Sequence, residues 1–341
     1  MPPAWQTALP AEIERAANLL RAGRLVVFPT ETVYGLGANA LDSEAVARIY
    51  AVKHRPATSP LIVHVASIEM AQSLVESWPE TADILAKKFW PGPLTLVLTT
   101  ARQASVGTGA SPVQAEQSSA ALSQRSIPLL VTAGLPTVGL RMPAHPIAIA
   151  LLQAAEIPLA APSANRFTEL SPTTANHVRQ SLGKEVDLIL DGGPCSIGIE
   201  STVISLATPT PTLLRPGAIS RADIESIIGP IATAQELSAG AHPAPGMHPR
   251  HYSPRTLLHL TQRGEVPDQG QGIYLQLQQP PSRANIAVIQ MPQSAATYAA
   301  ALYEVLHQAD AKSYSWIAVD LPPSTPEWEA VQDRLKRAAT K

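Results

Sequence analysis

The chain has 341 residues, of which 45% are hydrophobic and 15% are charged, and its formal net charge is −2. This length and hydrophobic content suit one large domain and a smaller one, each with its own core. A net charge near zero excludes a strong overall attraction to nucleic acid or to an anionic membrane, so any cationic site must be local. Cys195 is the only cysteine in the sequence, which excludes an intramolecular disulfide and a zinc site built on cysteine pairs.

The termini and apolar stretches bear on where the protein resides. The N-terminal segment lacks the basic start and the continuous apolar run of a signal peptide. The most apolar later stretch, residues 145–162, is interrupted by Glu156 and by prolines before it is long enough to span a bilayer. Together with the single cysteine, these features predict a cytoplasmic protein.

The first elements in chain order are predicted to be a helix, a strand and a second helix. Apolar residues recur at helical spacing over residues 13–20, and Gly23 follows where this helix should end before a strand over residues 25–28. The second helix is expected to begin at Asp42 or Ser43, since either residue can cap it. Between the strand and this helix lies "FPTETVYGLG", which is longer and more polar than a hairpin turn needs. We therefore expect its backbone to be shaped around a ligand.

Strand-like runs continue along the chain with helical segments between several of them, which predicts a mixed α/β domain over residues 1–229. These runs are "LIVHV", "LTLVL", "TVGLRM", "IPLAA", "DLILD", "STVISL" and "TLLRP". Residues 101–128 are rich in Ser, Ala and Gln and lack apolar periodicity, so we expect a flexible surface insertion there. Residues 230–255 are dense in Pro, Gly and His, which is typical of a linker. The later strand-like runs "TLLHL", "IYLQL", "NIAVIQ" and "SWIAVDL", with helices around residues 295–308 and 326–339, predict a small α/β domain over residues 256–341.

Lys53 and Arg55 form the first candidate site. Residues two apart in an extended segment point the same way, so both cations would face one pocket and would suit a phosphate or a carboxylate. The same spacing also fits two solvated charges at a helix end.

Ser163 and Asn165, in "APSANRF", form the second candidate site. They follow a buried-looking strand, and a polar loop at the carboxyl end of a strand is where open α/β sheets bind ligands. A plain turn or a helix cap would use the same residues.

Ser201 and Thr202 begin a predicted strand after a glycine-rich segment. That segment is not a phosphate-binding P-loop, because Gly198 is followed by Ile199 and Glu200 where the P-loop pattern needs lysine. The two hydroxyl groups are therefore candidate ligand donors or ordinary strand residues.

Two arginines and one histidine belong to apolar runs. Arg141 and Arg215 each end such a run, where a cation either binds a ligand or reaches to water. His64 interrupts "LIVHV" and fits either a ligand contact or a core histidine with its hydrogen bonds satisfied.

Taken together and in order, these segments resemble the YrdC-like domain of threonylcarbamoyl-AMP synthases. The matching segments, over about residues 10–229, are "FPTETVYGLG", "KHRP", "LIVHV", "WPGPLT", "GLRMP", "PSAN", "GIESTV" and "LRPG". The hallmark of that family is a K-x-R pair followed far downstream by S-x-N. The later segments "APGMHPRHYSP" and "WEAVQDRLKRAA" are similar to the two-domain form of the family. The resemblance implies a YrdC-like twisted mixed α/β sheet domain with a smaller Rossmann-like α/β C-terminal domain.

The resemblance also implies an activity. L-Threonine, bicarbonate or CO2, and ATP would give threonylcarbamoyl-AMP and pyrophosphate, with Mg2+ bound through the ATP phosphates and no metal held by protein side chains. A downstream tRNA threonylcarbamoyl transferase complex, stably bound or not, would then form threonylcarbamoyladenosine next to the anticodon, and direct tRNA binding is not required. Because the carbamate of threonine is already anionic, its attack on the α-phosphate needs positioning and charge neutralisation more than a nucleophilic side chain.

The same resemblance implies roles for individual residues. Charge stabilisation in catalysis is expected from Lys53 and Arg55. The expected threonine site consists of Thr32, His64, Arg141, Ala161 and Ser201. The expected ATP site consists of Arg55, Ser59, Thr137, Ser163, Asn165, Ser171, Arg215 and Tyr252. Residues 247–252 of the linker are expected to act as a lid.

Two positions depart from the family pattern, and two other functions are compatible with parts of the sequence. Ser59 stands where an asparagine is common, and His248 with Pro249 replaces a Lys-Tyr pair. One alternative is a YrdC-like module that binds a nucleotide or RNA without making the adenylate. The other is a carbamoyltransferase of the hydrogenase-maturation type, but those longer chains carry acylphosphatase and zinc-finger segments that this sequence lacks.

Overall fold

The computed structural model describes residues 9–101, 126–234 and 251–340. These residues form a ten-stranded mixed sheet and a separate four-stranded sheet, so the predicted mixed α/β fold with a smaller second domain is confirmed. The predicted surface insertion and most of the predicted linker lie outside the described residues. No helix in the described ranges is long and apolar enough to cross a membrane.

The large domain alternates short strands with helices, as the apolar runs predicted. Its helices are α1 (Leu9–Arg21), α2 (Ser43–Lys53), α3 (Ile68–Gln72), α4 (Glu80–Phe89), α5 (Leu129–Thr132), α6 (Pro146–Ala155), α7 (Ala175–Ser181) and α8 (Arg221–Ile228). Its strands are β1 (Val26–Phe28), β2 (Gly35–Asn39), β3 (Ile62–His64), β4 (Leu94–Thr99), β5 (Thr137–Arg141), β6 (Leu159–Ala160), β7 (Leu188–Ile189), β8 (Thr202–Ser205), β9 (Thr212–Arg215) and β10 (Ala232–Thr233).

The order of strands in the large sheet is β10-β9-β8-β4-β5-β3-β6-β2-β1-β7. β3 runs parallel to β5 and antiparallel to β6, so the three strands at the centre of the sheet are joined by crossovers and not by hairpins. The last strand, β10, pairs with β9, and the sheet therefore extends a few residues into the segment predicted as a linker.

The two faces of the large sheet are covered differently. One face packs on α2, α3, α4 and α7 through a continuous apolar core that includes Val63 and Leu140. On the other face, α1 and α6 pack together over β1 and β6. The strand register places His64 beside Leu159 and beside Arg141 on this second face, next to the part that α1 and α6 cover. His64 and Arg141 therefore line a pocket on this second face, beside the part that α1 and α6 cover.

The segment "FPTETVYGLG" contains a strand that the sequence did not predict. β2 begins at Gly35 and pairs with β1 in antiparallel register, with Phe28 opposite Gly35 and Val26 opposite Gly37. Only residues 29–34 form the loop. The strand was missed because glycine has a low intrinsic preference for strands. Here the ring of Phe28 packs over both glycines, at 3.4 Å and 2.8 Å from the position that an added Cβ would take.

The small domain is built on four parallel strands in the order β11-β14-β12-β13. Its elements are β11 (Leu257–Thr261), β12 (Gly272–Gln276), β13 (Ala287–Gln290), α9 (Ala295–Ala311), β14 (Trp316–Asp320) and α10 (Glu329–Ala339). α9 and α10 pack on the sheet through an apolar core of their own. All four strands and both helices of this domain agree with the sequence prediction.

Candidate active site

A pocket of about 50 Å³ lies on the second face of the large sheet. His64 of β3 and Arg141 of β5 contribute to its lining. Further lining comes from the loop of residues 29–34, from the loop after β6, and from residues that flank β8 and β9. His251 and Tyr252, which precede the small sheet, complete the lining, so both halves of the chain meet here.

Nine of the predicted site residues line this pocket. They are Thr32, Arg55, His64, Arg141, Ala161, Ser163, Ser201, Arg215 and Tyr252. The other five lie near these residues without lining the pocket in the described part of the chain. They are Lys53, Ser59, Thr137, Asn165 and Ser171.

Arg141 is held at the pocket by a buried ion pair with Glu31. One oxygen of Glu31 accepts a hydrogen bond from Arg141 at 2.6 Å, and the other accepts the backbone N–H of Ala144 at 3.0 Å. Burial raises the pKa of Glu31, but the charge and the hydrogen bond of Arg141 outweigh burial and leave this pKa below its usual value. Glu31 is therefore ionised and fixes the direction of the guanidinium. Sequence reasoning missed this role, although Glu31 lies within the quoted "PTETVYGLG".

His64 is a neutral imidazole inside the pocket. Burial and the charge of Arg141 lower its pKa to about 3. Its Nδ1 atom has no hydrogen-bond partner among the described residues, and its ring packs edge-on against Phe28 with the ring centres 5.9 Å apart. A neutral ring with an unused nitrogen can donate or accept one hydrogen bond to a small polar ligand.

The loop that carries Thr32 is held by its own hydroxyl groups. The hydroxyl oxygens of Thr30 and Thr32 lie 2.8 Å apart, and Thr30 donates to the carbonyl of Val33 at 2.6 Å. The side chain of Thr32 is fully buried at the pocket. These hydrogen bonds hold the loop as one wall of the pocket, and that it is shaped around a ligand stays a prediction.

Arg55 reaches the pocket by a geometry that differs from the prediction. α2 ends at Lys53, and His54 caps it in the left-handed region with a φ of 51°. Arg55 therefore follows a helix C-cap and does not belong to an extended segment. Its guanidinium donates to the Ser59 hydroxyl at 2.7 Å and to the Pro60 carbonyl at 2.9 Å. Burial lowers the pKa of Arg55 to about 10, so the side chain keeps its charge at neutral pH.

The ammonium of Lys53 binds the S-x-N loop from behind. It donates to the carbonyl of Ser163 at 2.6 Å and to the carbonyl of Asn165. Asn165 in turn donates from its side-chain nitrogen to the carbonyls of Arg166 and Glu169 at 2.9 and 2.8 Å. Burial, followed by the charge of Arg55, lowers the pKa of Lys53 well below its usual value. In this arrangement Lys53 orders the loop, and its contact with a phosphate stays a prediction.

Thr137 lies near the point at which Arg55 is anchored, at the start of β3 and β5. β3 and β5 are parallel with Ile62 opposite Gly139, and Thr137 is the first residue of β5. The register therefore places Thr137 level with Pro60, which accepts a hydrogen bond from Arg55. Arg141 lies at the other end of the same strand.

Ser201 connects three strands at the pocket wall. Its hydroxyl oxygen lies 2.8 Å from that of Thr95 on β4. Arg215, the last residue of β9, donates to the carbonyl and to the hydroxyl of Ser201, both at 3.1 Å. The carboxylate of the preceding residue, Glu200, accepts a hydrogen bond from Ser171 at 2.5 Å, so Ser171 lies behind this wall.

Residues of the C-terminal helices also reach the pocket wall, and sequence reasoning missed them. Arg334 of α10 forms an ion pair with Glu200 at 2.8 Å, and the Tyr303 hydroxyl donates to the same carboxylate at 3.1 Å. The guanidinium of Arg334 lies 5.2 Å from the centre of the Tyr252 ring. No local sequence pattern distinguishes Arg334 from a solvated arginine on an amphipathic helix.

The described ranges hold no group of three or more His, Cys, Asp or Glu side chains that could bind a metal ion. Of the linker histidines, His251 is buried against Tyr252 and lines the pocket, whereas His242 and His248 lie outside the described residues.

Comparisons with known proteins agree with this arrangement. A family model described as "Telomere recombination", for the Sua5/YciO/YrdC family, matches residues 18–116 and 118–217. A second, described as "Threonylcarbamoyl-AMP synthase, C-terminal domain", matches residues 219–340. The chain is 40% identical over 347 residues to the threonylcarbamoyl-AMP synthase of Bacillus subtilis, with 96% of this chain and 93% of that protein covered. It is 46% identical over 246 residues to the synthase of Pyrococcus abyssi, with 71% of this chain and 66% of that protein covered.

A solved structure extends the likeness to both domains. The crystal structure of P. abyssi Sua5 complexed with L-threonine matches with a TM-score of 0.82 and 37% sequence identity, covering 96% of this chain and 94% of that one. The sequence and structural matches run through both sheets, and the chain therefore belongs to the two-domain threonylcarbamoyl-AMP synthase family.

Proposed function

We propose that this chain synthesises L-threonylcarbamoyladenylate and pyrophosphate from L-threonine, bicarbonate or CO2, and ATP. The observation that carries the proposal is one pocket with two arginines at opposite ends of β3 and β5. Arg141 lies beside neutral His64 at the carboxyl ends, and Arg55 is anchored just before β3. Thr137 is level with Pro60 and four residues before Arg141, so at about 3.3 Å per residue these ends are roughly 13 Å apart. That spacing suits an amino-acid carboxylate at one end and a phosphate chain at the other.

The end with Arg141 is the proposed threonine site. Its guanidinium, aimed by Glu31, would pair with the substrate carboxylate. Thr32, His64 and Ser201 supply polar atoms for the hydroxyl and amino groups, and the small side chain of Ala161 leaves room beside them. A neutral His64 suits the binding of an amine that must lose its charge before it forms a carbamate.

The end with Arg55 is the proposed ATP site. The carbamate is an anion that attacks the α-phosphate, so the reaction needs neutralisation of charge that develops toward the pyrophosphate. Arg55 and Arg215 line the pocket and would supply that charge. Lys53 and Asn165 hold the loop that presents Ser163, and Ser59 holds Arg55.

Two further predicted ATP residues fit this proposal with different strength. Thr137 lies level with the anchor of Arg55, which supports a contact with the nucleotide. Ser171 lies behind Glu200 and donates a hydrogen bond to its carboxylate, so we propose that Ser171 acts by holding Glu200 in place.

Mg2+ is proposed to enter with ATP. The two carboxylates nearest the pocket, Glu31 and Glu200, are each engaged by an arginine. This donor set fits a cation that arrives on the phosphate oxygens and not one held by side chains. Bound in that way, Mg2+ would neutralise charge on the phosphates.

The segment before the small sheet is proposed to act as a lid. The pocket of about 50 Å³ is much smaller than the roughly 300–1,000 Å³ of typical ligand sites, and His251 and Tyr252 line it. Both substrates therefore require this segment to move. The remainder of the proposed lid, residues 247–250, lies outside the described ranges.

The wider assignments follow from the same proposal. The product would serve a tRNA threonylcarbamoyl transferase that modifies the adenosine next to the anticodon. We place the reaction in the cytoplasm, which suits a chain with a single buried cysteine. We also propose a catalytic domain over residues 1–229, a linker and lid over 230–255, and a C-terminal domain over 256–341.

The test is pyrophosphate release from ATP by the full chain with Mg2+ and bicarbonate. We expect release with L-threonine, much less with L-serine, and none without an amino acid. If the folded protein binds ATP but releases no pyrophosphate with threonine, the synthase proposal is wrong and a nucleotide- or RNA-binding module becomes the better description.

A further inference from the structure

Arg334 is distant in sequence from the motifs of the large domain, but its side chain is buried in the contact between the two domains. It lies on α10 and is 0% exposed. A buried guanidinium is unfavourable unless its donors are used and its charge is compensated. Arg334 donates to the Glu200 carboxylate at 2.8 Å, to the Asp333 carboxylate at 2.8 Å, and to the Glu200 carbonyl at 3.4 Å. Two of these three hydrogen bonds cross to the other domain, and the third goes to Asp333 on the same helix.

The principal partner of Arg334 belongs to the pocket wall. Glu200 lines the pocket and directly precedes Ser201, which is part of the proposed threonine site. Its carboxylate also accepts hydrogen bonds from Ser171 at 2.5 Å and from Tyr303 at 3.1 Å. Arg334, Ser171 and Tyr303 therefore hold the Glu200 side chain, and Arg334 also contacts the Glu200 carbonyl, which directly precedes Ser201.

The charge of Arg334 also matters for the substrates. The described pocket lining contains three arginines and one glutamate, Glu200. ATP, the threonine carboxylate and the carbamate are all anions, so an uncompensated carboxylate in this wall would repel them. Arg334 compensates Glu200 from behind the wall without entering the lining, so the pocket keeps its excess of positive charge.

Arg334 contacts the proposed lid as well. Its guanidinium lies 5.2 Å from the centre of the Tyr252 ring, a cation–π contact that is strongest when it is shielded from water. Tyr252 has a φ of 60°, a left-handed conformation that a non-glycine residue keeps only when its surroundings hold it. The same guanidinium therefore fixes both Glu200 and the lid residue that lines the pocket.

We infer that Arg334 is a positioning residue for adenylate formation, through which the C-terminal domain holds Glu200 and Tyr252 in place and compensates the Glu200 charge. This inference rests on the proposed function. It gives the C-terminal domain an indirect part in substrate binding, through Glu200 and Tyr252, although that domain contributes no residue of the large sheet.

The test compares Arg334→Met with Lys336→Met in the full chain. Both substitutions remove one cation from α10, but Lys336 is exposed and lies outside the pocket. We expect Arg334→Met to raise the KM for ATP and to lower kcat/KM by roughly ten- to a hundredfold, as misplacement by about 1 Å does. Lys336→Met should stay within twofold of the wild type.

A second pair of variants separates positioning from folding. Glu200→Gln in the Arg334→Met background removes the charge that has lost Arg334, and it keeps one acceptor oxygen at the position that both Ser171 and Tyr303 reach. We expect this double variant to regain part of the lost kcat/KM, and Arg334→Lys to be intermediate. Thermal unfolding reports whether each variant is folded. If Arg334→Met is not folded, the kcat/KM values of Arg334→Lys and of the double variant test the inference instead.

Calorimetry with α,β-methylene ATP measures nucleotide affinity without turnover. It therefore tests the role of Arg334 independently of the proposed synthase activity. If the wild type releases no pyrophosphate with threonine, the proposed function fails, and weaker binding of the analogue by Arg334→Met still assigns Arg334 a role in positioning the nucleotide site. Unchanged kcat/KM and unchanged analogue affinity in folded Arg334→Met overturn the inference. A double variant no better than Arg334→Met overturns the part assigned to the Glu200 charge.

Discussion

Charge in the pocket is controlled residue by residue. Glu31 is compensated by Arg141 and Glu200 by Arg334, so each carboxylate has an arginine that keeps its pKa below the usual value although burial alone would raise it. His64 is kept neutral by burial and by Arg141. Arg55 donates hydrogen bonds to the neutral acceptors of residues 59 and 60, which leaves its charge available to an anionic ligand.

Arg55→Ala tests this assignment at the residue scale. The substitution removes a guanidinium that would stabilise charge on the phosphates, and we expect adenylate formation to fall by about a hundredfold or more. The measurement is threonine-dependent pyrophosphate release. Arg24→Ala is the control, because Arg24 is more than half exposed and pairs only loosely with Asp187 at 3.8 Å.

Lys53→Ala should lose activity to a similar extent but for a different reason. The Ser163 and Asn165 carbonyls would lose a buried donor, so we also expect the free energy of unfolding to fall by about 1–3 kcal/mol. Near-normal pyrophosphate release by both the Lys53 and the Arg55 variants would contradict the roles proposed for them, which are loop ordering for Lys53 and stabilisation of phosphate charge for Arg55.

At the scale of elements, the packing of β1 on β2 positions the end of the pocket that is proposed to bind threonine. Phe28 of β1 covers Gly35 and Gly37 of β2 and packs edge-on against His64. The two glycines let the ring lie flat on the neighbouring strand. A side chain on β2 would therefore displace Phe28 and, through it, the imidazole that lines the pocket.

Gly37→Ala tests this packing. Its Cβ would lie 2.8 Å from the Phe28 ring and 3.1 Å from the Val26 carbonyl, so the ring must shift. We expect a loss of about 1–3 kcal/mol in the free energy of unfolding, the usual range for overpacking a core, together with weaker threonine binding. Denaturant unfolding and calorimetry measure the two effects.

Gly35→Ala is the matched control for stability on the same strand. Its Cβ would lie 3.4 Å from Ala161 and from Phe28, which is ordinary van der Waals contact. If Gly37→Ala lowers the free energy of unfolding by no more than Gly35→Ala does, the packing of Phe28 on Gly37 is not important for stability.

At the scale of the whole molecule, the contact between the domains is polar as well as apolar. His177 of α7 and His307 of α9 stack across it, with ring centres 3.8 Å apart. Burial, followed by the charge of His177, lowers the pKa of His307 to about 4. Burial also lowers the pKa of His177, although Glu304 lies 3.2 Å away and acts in the opposite direction. Both rings are therefore neutral in the folded protein at neutral pH.

This contact predicts a loss of stability in acid. Unfolded histidine titrates near pH 6.5, so below that pH the unfolded chain binds more protons than the folded one, and the free energy of unfolding falls toward pH 4. His307→Phe keeps an aromatic ring without a titrating group. Between pH 7.5 and 5.5 we expect this variant to lose about 1 kcal/mol less than the wild type. Denaturant unfolding at the two pH values measures the difference, and equal losses would contradict the prediction.

The order of elements and the identity of most pocket residues followed from the sequence. Strands such as β4 and β14 are short apolar runs bounded by turn residues, and the helix after Asp42 begins with the cap that the sequence predicts. These features depend on neighbours in the chain, which is why local patterns were sufficient. The ordered motifs also located nine residues that meet at one pocket.

Contacts between distant residues were decided only by the tertiary structure. β2 is a strand because Phe28 packs on its glycines, the turn after Lys53 is a left-handed cap, and Glu31 and Arg334 act through partners more than a hundred residues away. The physical reason is that burial, charge compensation and ring packing depend on what surrounds a side chain after folding. The chemistry of the pocket could be named from the sequence, whereas the placement of its charges required the fold.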